Sequence, residues 1–211
     1  MAKNTEIELK LLLTKEALEK MLSLDVVQRA LRPGSKKQRR LISSYYDTAE
    51  LAFKKHGVAY RVRDKGDGTF EATVKTSRHC EGGLSRRMEL NIPLTADQAV
   101  LTGFKELGLG YDLAELAPCG VEKLFTVDVE RTTYILDLKG AVAELAIDYG
   151  GIFAKGKSDP IDEVEIELFE GDVEALLAFY QSLKEQVTIR EEERSKFVRG
   201  LALLGIEADQ V

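Results

Sequence analysis

The residues Thr5-Glu6-Ile7-Glu8-Leu9-Lys10-Leu11-Leu12-Leu13 open with a charged side chain at every second position. A strand sends alternate side chains to opposite faces, so Glu6, Glu8 and Lys10 share one face while Ile7, Leu9 and Leu11 share the other. One such strand is ordinary, because a half-solvated sheet face reads the same way. Here the pattern returns along the chain: in Arg61 and Arg63; in Glu71, Thr73 and Lys75; in Arg87, Glu89 and Asn91; in Glu144 and Asp148; and in Glu163, Glu165 and Glu167. Arg131 and Thr133 share a face of a long β-branched and aromatic stretch. Repeated this often, the pattern points to charged faces converging on one ligand.

The remaining elements follow in order. Thr14 is suited to cap a helix that carries Leu18, Met21 and Leu22 on one stripe and runs to about Ala30. Arg32 to Arg40 reads as a solvated basic loop broken at Pro33-Gly34, with a phosphate entry path as the second reading. Leu41 to Asp47 is a strand, followed by a helical turn between Ala49 and His56. Val58 to Asp64 and Thr69 to Thr76 form a hairpin around Gly66-Asp67-Gly68, and a Gly82-Gly83 loop leads to a strand from Leu84 to Ile92. Thr95 is expected to cap a second helix that buries Val100, Phe104 and Leu107 and closes at Gly108 and Gly110. Strands follow over about 123–138, 141–149 and 161–169, with Gly150-Gly151 read as loop. Asp172 and Ser195 open the last two helices. No repeat or linker divides the chain, so residues 1–211 read as one domain.

Eight mostly antiparallel strands suffice to close a small barrel around one ligand. If the apolar faces pointed inward, the helices would have nothing apolar to cover. If the charged faces point inward, the amphipathic helices can lie on an apolar exterior. The fold class is therefore α+β: an eight-stranded antiparallel closed barrel with a charged lumen and helices packed outside. Nine acids (Glu6, Glu8, Glu71, Glu89, Glu144, Asp148, Glu163, Glu165, Glu167) then face six bases (Lys10, Arg61, Arg63, Lys75, Arg87, Arg131). Enclosed carboxylates require cations, hard divalent ions above all, whereas clustered Arg and Lys require a multiply charged anion. A polyphosphate with Mg2+ or Mn2+ satisfies both.

A formal charge of −6 argues against a general nucleic-acid or membrane-surface binder. Cys80 and Cys119 lack metal or disulfide spacing, and His56 and His79 read as loop residues. No apolar run approaches a bilayer span and no signal region opens the chain, so a cytoplasmic setting is expected.

These residues resemble the CYTH, or triphosphate tunnel metalloenzyme, superfamily. Its Glu-x-Glu-x-Lys hallmark stands as Glu6-Ile7-Glu8-Leu9-Lys10, and the match continues through Arg61-x-Arg63, Thr73-x-Lys75, Arg87-x-Glu89, Arg131, Glu144 with Asp148, and Glu163-x-Glu165-x-Glu167. Gly82 to Arg87, Leu124 to Asp128 and Ser195-Lys196 are most similar to bacterial inorganic triphosphatases. The resemblance implies an antiparallel tunnel and metal-dependent hydrolysis of triphosphate to diphosphate and phosphate. Some relatives of this type continue into a helical, histidine-rich CHAD domain, and many are homodimers.

On this reading Lys10, Arg61, Arg63, Lys75, Arg87 and Arg131 grip phosphate oxygens, with Lys196 as a further contact. Glu6, Glu8, Glu144, Asp148, Glu163 and Glu165 are the metal ligands, ahead of Glu89 and Glu167. Lys10, Glu8 and Glu165 stand closest to catalysis. Lys10 is also a candidate for proton transfer with a tyrosine, Tyr45 or Tyr46. The rival readings are a class IV adenylyl cyclase, a thiamine triphosphatase, and a polyphosphate-binding module without turnover.

Overall fold

The computed structural model describes residues 4–81 and 83–207, so Gly82 of the expected Gly-Gly loop lies outside the described residues. The charged stretches all form strands: β1 (Thr5–Leu12), β2 (Lys37–Asp47), β3 (Val58–Asp64), β4 (Phe70–Thr76), β5 (His79–Glu81), β6 (Leu84–Leu94), β7 (Glu122–Leu138), β8 (Ala141–Ala154), β9 (Lys157–Gly171) and the two-residue β10 (Arg190–Glu191). They pair antiparallel in the order β10-β1-β9-β8-β7-β2-β3-β4-β6-β5. A further β1–β6 pairing closes eight of them into a barrel. β5 and β10 are short additions at one end.

The helices are α1 (Lys15–Ser23), α2 (Asp25–Ala30), α3 (Ala52–Lys55), α4 (Leu113–Leu116), α5 (Val173–Lys184) and α6 (Lys196–Leu203). Thr14 caps α1 by accepting from the Ala17 N–H at 3.2 Å. The helix expected to run from Thr14 to Ala30 is instead two, because Leu24 is extended (φ −64°, ψ 138°).

The barrel is apolar outside and ionic inside. Leu9, Leu11, Leu145, Ile147, Val164 and Ile166 face outward and are covered by Leu18 and Met21 of α1, Val27 of α2, and Leu176, Tyr180 and Leu183 of α5. Burial of such side chains stabilises by roughly 1.5–3 kcal/mol each, and here it accrues on the outer wall. On the opposite flank Phe53, Tyr60, Val62, Val74, Leu90 and Phe104 form a second outer cluster.

α6 does something different. Its Phe197 and Leu201 pack on Tyr45, Phe125, Val127, Ile152 and Ile161. Those residues share the strand face of Ser43, Arg61, Asp148 and Glu163, which is the lumen. α6 therefore seals one end of the barrel. Gly200 permits the fit, since a Cβ there would stand 2.3 Å from the Phe125 ring.

Three other expectations are corrected. No α-helix starts at Thr95: the Tyr60 hydroxyl accepts from the Val100 N–H at 2.8 Å and donates to its carbonyl at 2.9 Å, claiming the groups a helix would use. Phe104 is buried there, but Leu107 is 39% exposed, and the helical turn Lys105–Leu109 is interrupted at Gly108 (φ 116°). Gly150-Gly151 is not a loop. β8 runs on to Ala154, and a Cβ on Gly150 would lie 2.1 Å from the Asp128 carbonyl oxygen, so glycine is what lets β7 and β8 approach here. The basic segment 32–40 is a loop only as far as Lys36. Its exposed arginines pair with acids: Arg32 with Asp137, Arg39 with Asp67 and Arg40 with Asp128.

Candidate active site

The lumen holds a cavity past α6, and strand alternation delivers its walls. Glu6, Glu8 and Lys10 of β1, Arg61 and Arg63 of β3, Lys75 of β4, Arg87 and Glu89 of β6, Arg131 of β7, and Glu165 and Glu167 of β9 all line it. Lys196, Ser195 and Phe197 close it from the α6 side, and Tyr45 and Ala59 complete the wall. Every phosphate-gripping candidate named from the sequence is thus in one chamber. Of the six metal-ligand candidates, Glu6, Glu8 and Glu165 line it. Asp148 and Glu163 are buried beneath its floor, at 1% exposure each, and Glu144 lines the opposite, open mouth beside Lys37, Arg39 and Lys65.

Ion pairs fix most of these side chains. Lys75 holds Glu6 at 2.6 Å and Glu89 at 2.5 Å, and Arg87 holds Glu6 at 2.5 Å and Glu8 at 3.4 Å. Arg131 makes a bidentate pair with Asp148, both distances 2.6 Å, and reaches Glu165 at 2.6 Å. Lys196 contacts Asp148, Glu163 and Glu165 at 3.0, 2.9 and 2.8 Å. Lys10 lies 3.7 Å from Glu165. Burial opposes ionisation of Glu165, but Lys196, Arg131 and Lys10 outweigh it and hold the carboxyl well below the usual range.

Two imbalances remain. Among the described residues neither Arg61 nor Arg63 has a carboxylate within ion-pair distance. The buried Arg61 Nε has no hydrogen-bond partner, and Arg63 Nε donates to the neutral Ser43 hydroxyl at 2.9 Å. Burial, with Arg61 and Arg131 alongside, brings the Arg63 guanidinium down to about 10. Burial opposes the charge on Arg61 too, but Tyr45, Glu89 and Glu6 outweigh it and hold Arg61 above its ordinary value, so the shortfall of negative charge falls on Arg63. The complementary excess sits on the acids: burial, with Glu6, Glu89 and Glu8 nearby, pushes Glu167 up to about 8, and burial with Glu6 and Glu165 raises Glu8. Among the described residues no three His, Cys, Asp or Glu side chains are yet gathered as a metal site.

Some residues escaped the sequence reading. Arg199, buried on α6, pairs with Glu163 and with Asp159 at 2.8 Å and donates to the Pro160 carbonyl at 2.6 Å. Its signal was its position three residues after Lys196, on the same helical face. Beyond Lys10 a smaller cavity is lined by Arg78, Cys80, Ser85 and Glu191 to Glu193. Tyr45 is inward and Tyr46 is not, its ring lying 6.2 Å from that of Tyr60 in the outer cluster.

The CYTH domain family model matches residues 4–201. An inorganic triphosphatase of Haemophilus influenzae is 30% identical over 161 residues, which cover 76% of this chain and 45% of that protein; the chain thus spans less than half of that relative's length. Among solved structures, a candidate adenylyl cyclase from Hippeastrum with a dominant triphosphatase activity superposes with a TM-score of 0.62 at 18% identity, covering 95% of this chain and 96% of that one. A candidate adenylate cyclase from Bacillus halodurans gives 0.53 at 21% identity, covering 94% and 98%. At such identities the two structures speak for the fold. No helix among the described residues is long and apolar enough to cross a membrane.

Proposed function

The chain belongs to the CYTH domain family, and from that premise we propose that it hydrolyses inorganic triphosphate to diphosphate and phosphate in its lumen with Mg2+ or Mn2+. One observation carries the reading: Arg61 and Arg63 are enclosed side by side in the lumen, and no carboxylate among the described residues forms an ion pair with either. Desolvated cations of this kind favour a multiply charged anion, and the guanidinium fork matches phosphate oxygens. The Haemophilus relative, named an inorganic triphosphatase, supports the choice of anion.

In this reading Arg61, Arg63, Lys75, Arg87 and Arg131 hold phosphate oxygens and offset the charge that moves onto the departing diphosphate. Lys196 adds a contact from the α6 side. Lys10, beside Glu165, can hold or pass a proton at Nζ. Glu6, Glu8 and Glu165 would hold the metal, with Asp148, Glu163 and Glu144 as the outlying candidates. The all-oxygen donor set suits a hard divalent ion, and the crowding of carboxyls that opposes ionisation of Glu8 and Glu167 would be relieved by one. When bound, such an ion neutralises phosphate charge and lowers the pKa of a coordinated water. The reading goes with a cytoplasmic enzyme whose partner is a small anion and neither nucleic acid nor membrane.

A phosphate-release assay with triphosphate, ATP and thiamine triphosphate, each with Mg2+ or Mn2+, tests it. Triphosphate is expected to turn over fastest, and EDTA to stop it. Cyclic AMP as the main product from ATP, or tight triphosphate binding without turnover under either metal, would overturn the reading.

A further inference from the structure

Tyr45 faces Arg61 directly across the β2–β3 ladder, and both side chains line the same cavity. The ring cannot swing away. It is stacked on Phe125 of β7 at 4.7 Å and 18°, and on Phe197 of α6 at 5.8 Å and 30°. Tyr45 itself is 5% exposed. Burial would raise its phenol, but Arg61, Arg63 and Lys75 outweigh burial and leave it below its ordinary value.

Arg61 has few other restraints. No carboxylate among the described residues forms an ion pair with it, Glu89 and Glu6 acting on it only through space, and its Nε bonds to nothing. A long side chain without a fixed partner keeps several rotamers, and a fork turned away from a phosphate loses the second of its two bonds. Lys10, for its part, is met by Glu165, and the residue opposite Tyr45 across the ladder is Arg61.

We propose that Tyr45 is a positioning residue that sets the orientation of Arg61, and that α6, through Phe197, is thereby part of the substrate-gripping apparatus. This rests on the triphosphatase reading above for the identity of the anion. It assigns Tyr45 a role in binding.

The test compares wild type, Tyr45→Phe, Arg61→Lys and the double variant. The readouts are KM and kcat with triphosphate, the pH profile of kcat, and calorimetric binding of triphosphate without divalent metal. Tyr45→Phe keeps the stacked ring and removes only the hydroxyl. If the hydroxyl holds the guanidinium by one hydrogen bond, its removal raises KM and Kd by about tenfold or somewhat more, with kcat within about twofold and an unchanged pH profile. In the Arg61→Lys background the same change should cost less than about twofold, because the oriented fork is already gone. Phe197→Leu should raise KM in the same direction by a smaller factor. A fall in kcat of about a hundredfold at unchanged KM, or an equal Tyr45→Phe effect with and without Arg61, would overturn the proposal. If wild type binds triphosphate but does not hydrolyse it, the enzyme reading fails while the calorimetric comparison still decides the role of Tyr45.

Discussion

Replacing Glu167 by Gln should make the protein more stable, and increasingly so as pH rises. Glu167 lines the lumen, and burial, with Glu6, Glu89 and Glu8 beside it, moves its carboxyl from an ordinary 4.5 to about 8. Between those values the folded chain holds a proton that the unfolded chain has released. Stability contributed by this group is therefore complete below the unfolded value and is lost as pH climbs through the folded one. The full gap corresponds to about 5 kcal/mol at ~1.4 kcal/mol for each tenfold step in proton affinity. Water reaching the cavity and relaxation of neighbouring charges reduce this to about 1–2 kcal/mol. For a chain of this size that is a melting shift of about 2–8 °C. In EDTA, Glu167→Gln and wild type should melt together near pH 5 and separate by that amount at pH 8.5, with the variant higher, as followed by circular dichroism. A difference that does not change with pH, or a variant that is less stable throughout, would refute the assignment of unbalanced negative charge to this corner of the lumen.

Other outcomes follow from the same geometry. Glu8→Ala and Glu165→Ala should abolish phosphate release while leaving the circular dichroism spectrum unchanged, whereas Arg61→Ala should act mainly on KM. Lys196→Met removes the shared partner of Asp148, Glu163 and Glu165, each of which keeps an arginine, and should cost about 1–3 kcal/mol in urea unfolding. A loss under 1 kcal/mol would mean that Arg131 and Arg199 carry the floor alone. Gly200→Ala drives a Cβ to 2.3 Å from the Phe125 ring and should destabilise by about 1–3 kcal/mol, read as a lowered melting temperature.

The barrel wall was legible because alternation is a local property: Glu6, Glu8 and Lys10 point inward wherever β1 lies, and Leu9 and Leu11, both 0% exposed, point outward. The convergence of Arg61, Arg63, Lys75, Arg87 and Arg131 follows from the same parity once the sheet closes. What could not be read depends on contacts distant in sequence. The apolar spacing of Val100, Phe104 and Leu107 suits a helix, and only Tyr60, 40 residues earlier, makes a helix the poorer choice. Gly150-Gly151 reads as a turn until the close approach of Asp128 is known. α6 has the amphipathic pattern of an exterior helix. Nothing local tells its apolar stripe that the surface awaiting it is the sealed end of the lumen, where Tyr45, Phe125 and Ile152 interrupt the ionic lining.

The seam at β1 bears on how the molecule assembles. This one strand zips to Leu84–Met88 on one side and to Val164–Glu167 on the other, joining partners such as Glu6 and Arg87 that lie 81 positions apart. Closures over such distances are entropically slow, so refolding belongs in the millisecond-to-second regime of non-local β topologies. Until the seam shuts, β6 and β9 each present a raw edge able to recruit another chain. Because the seam's inner row is ionic, added salt should alter the rate of that last closure, and dilute refolding should recover more protein than concentrated.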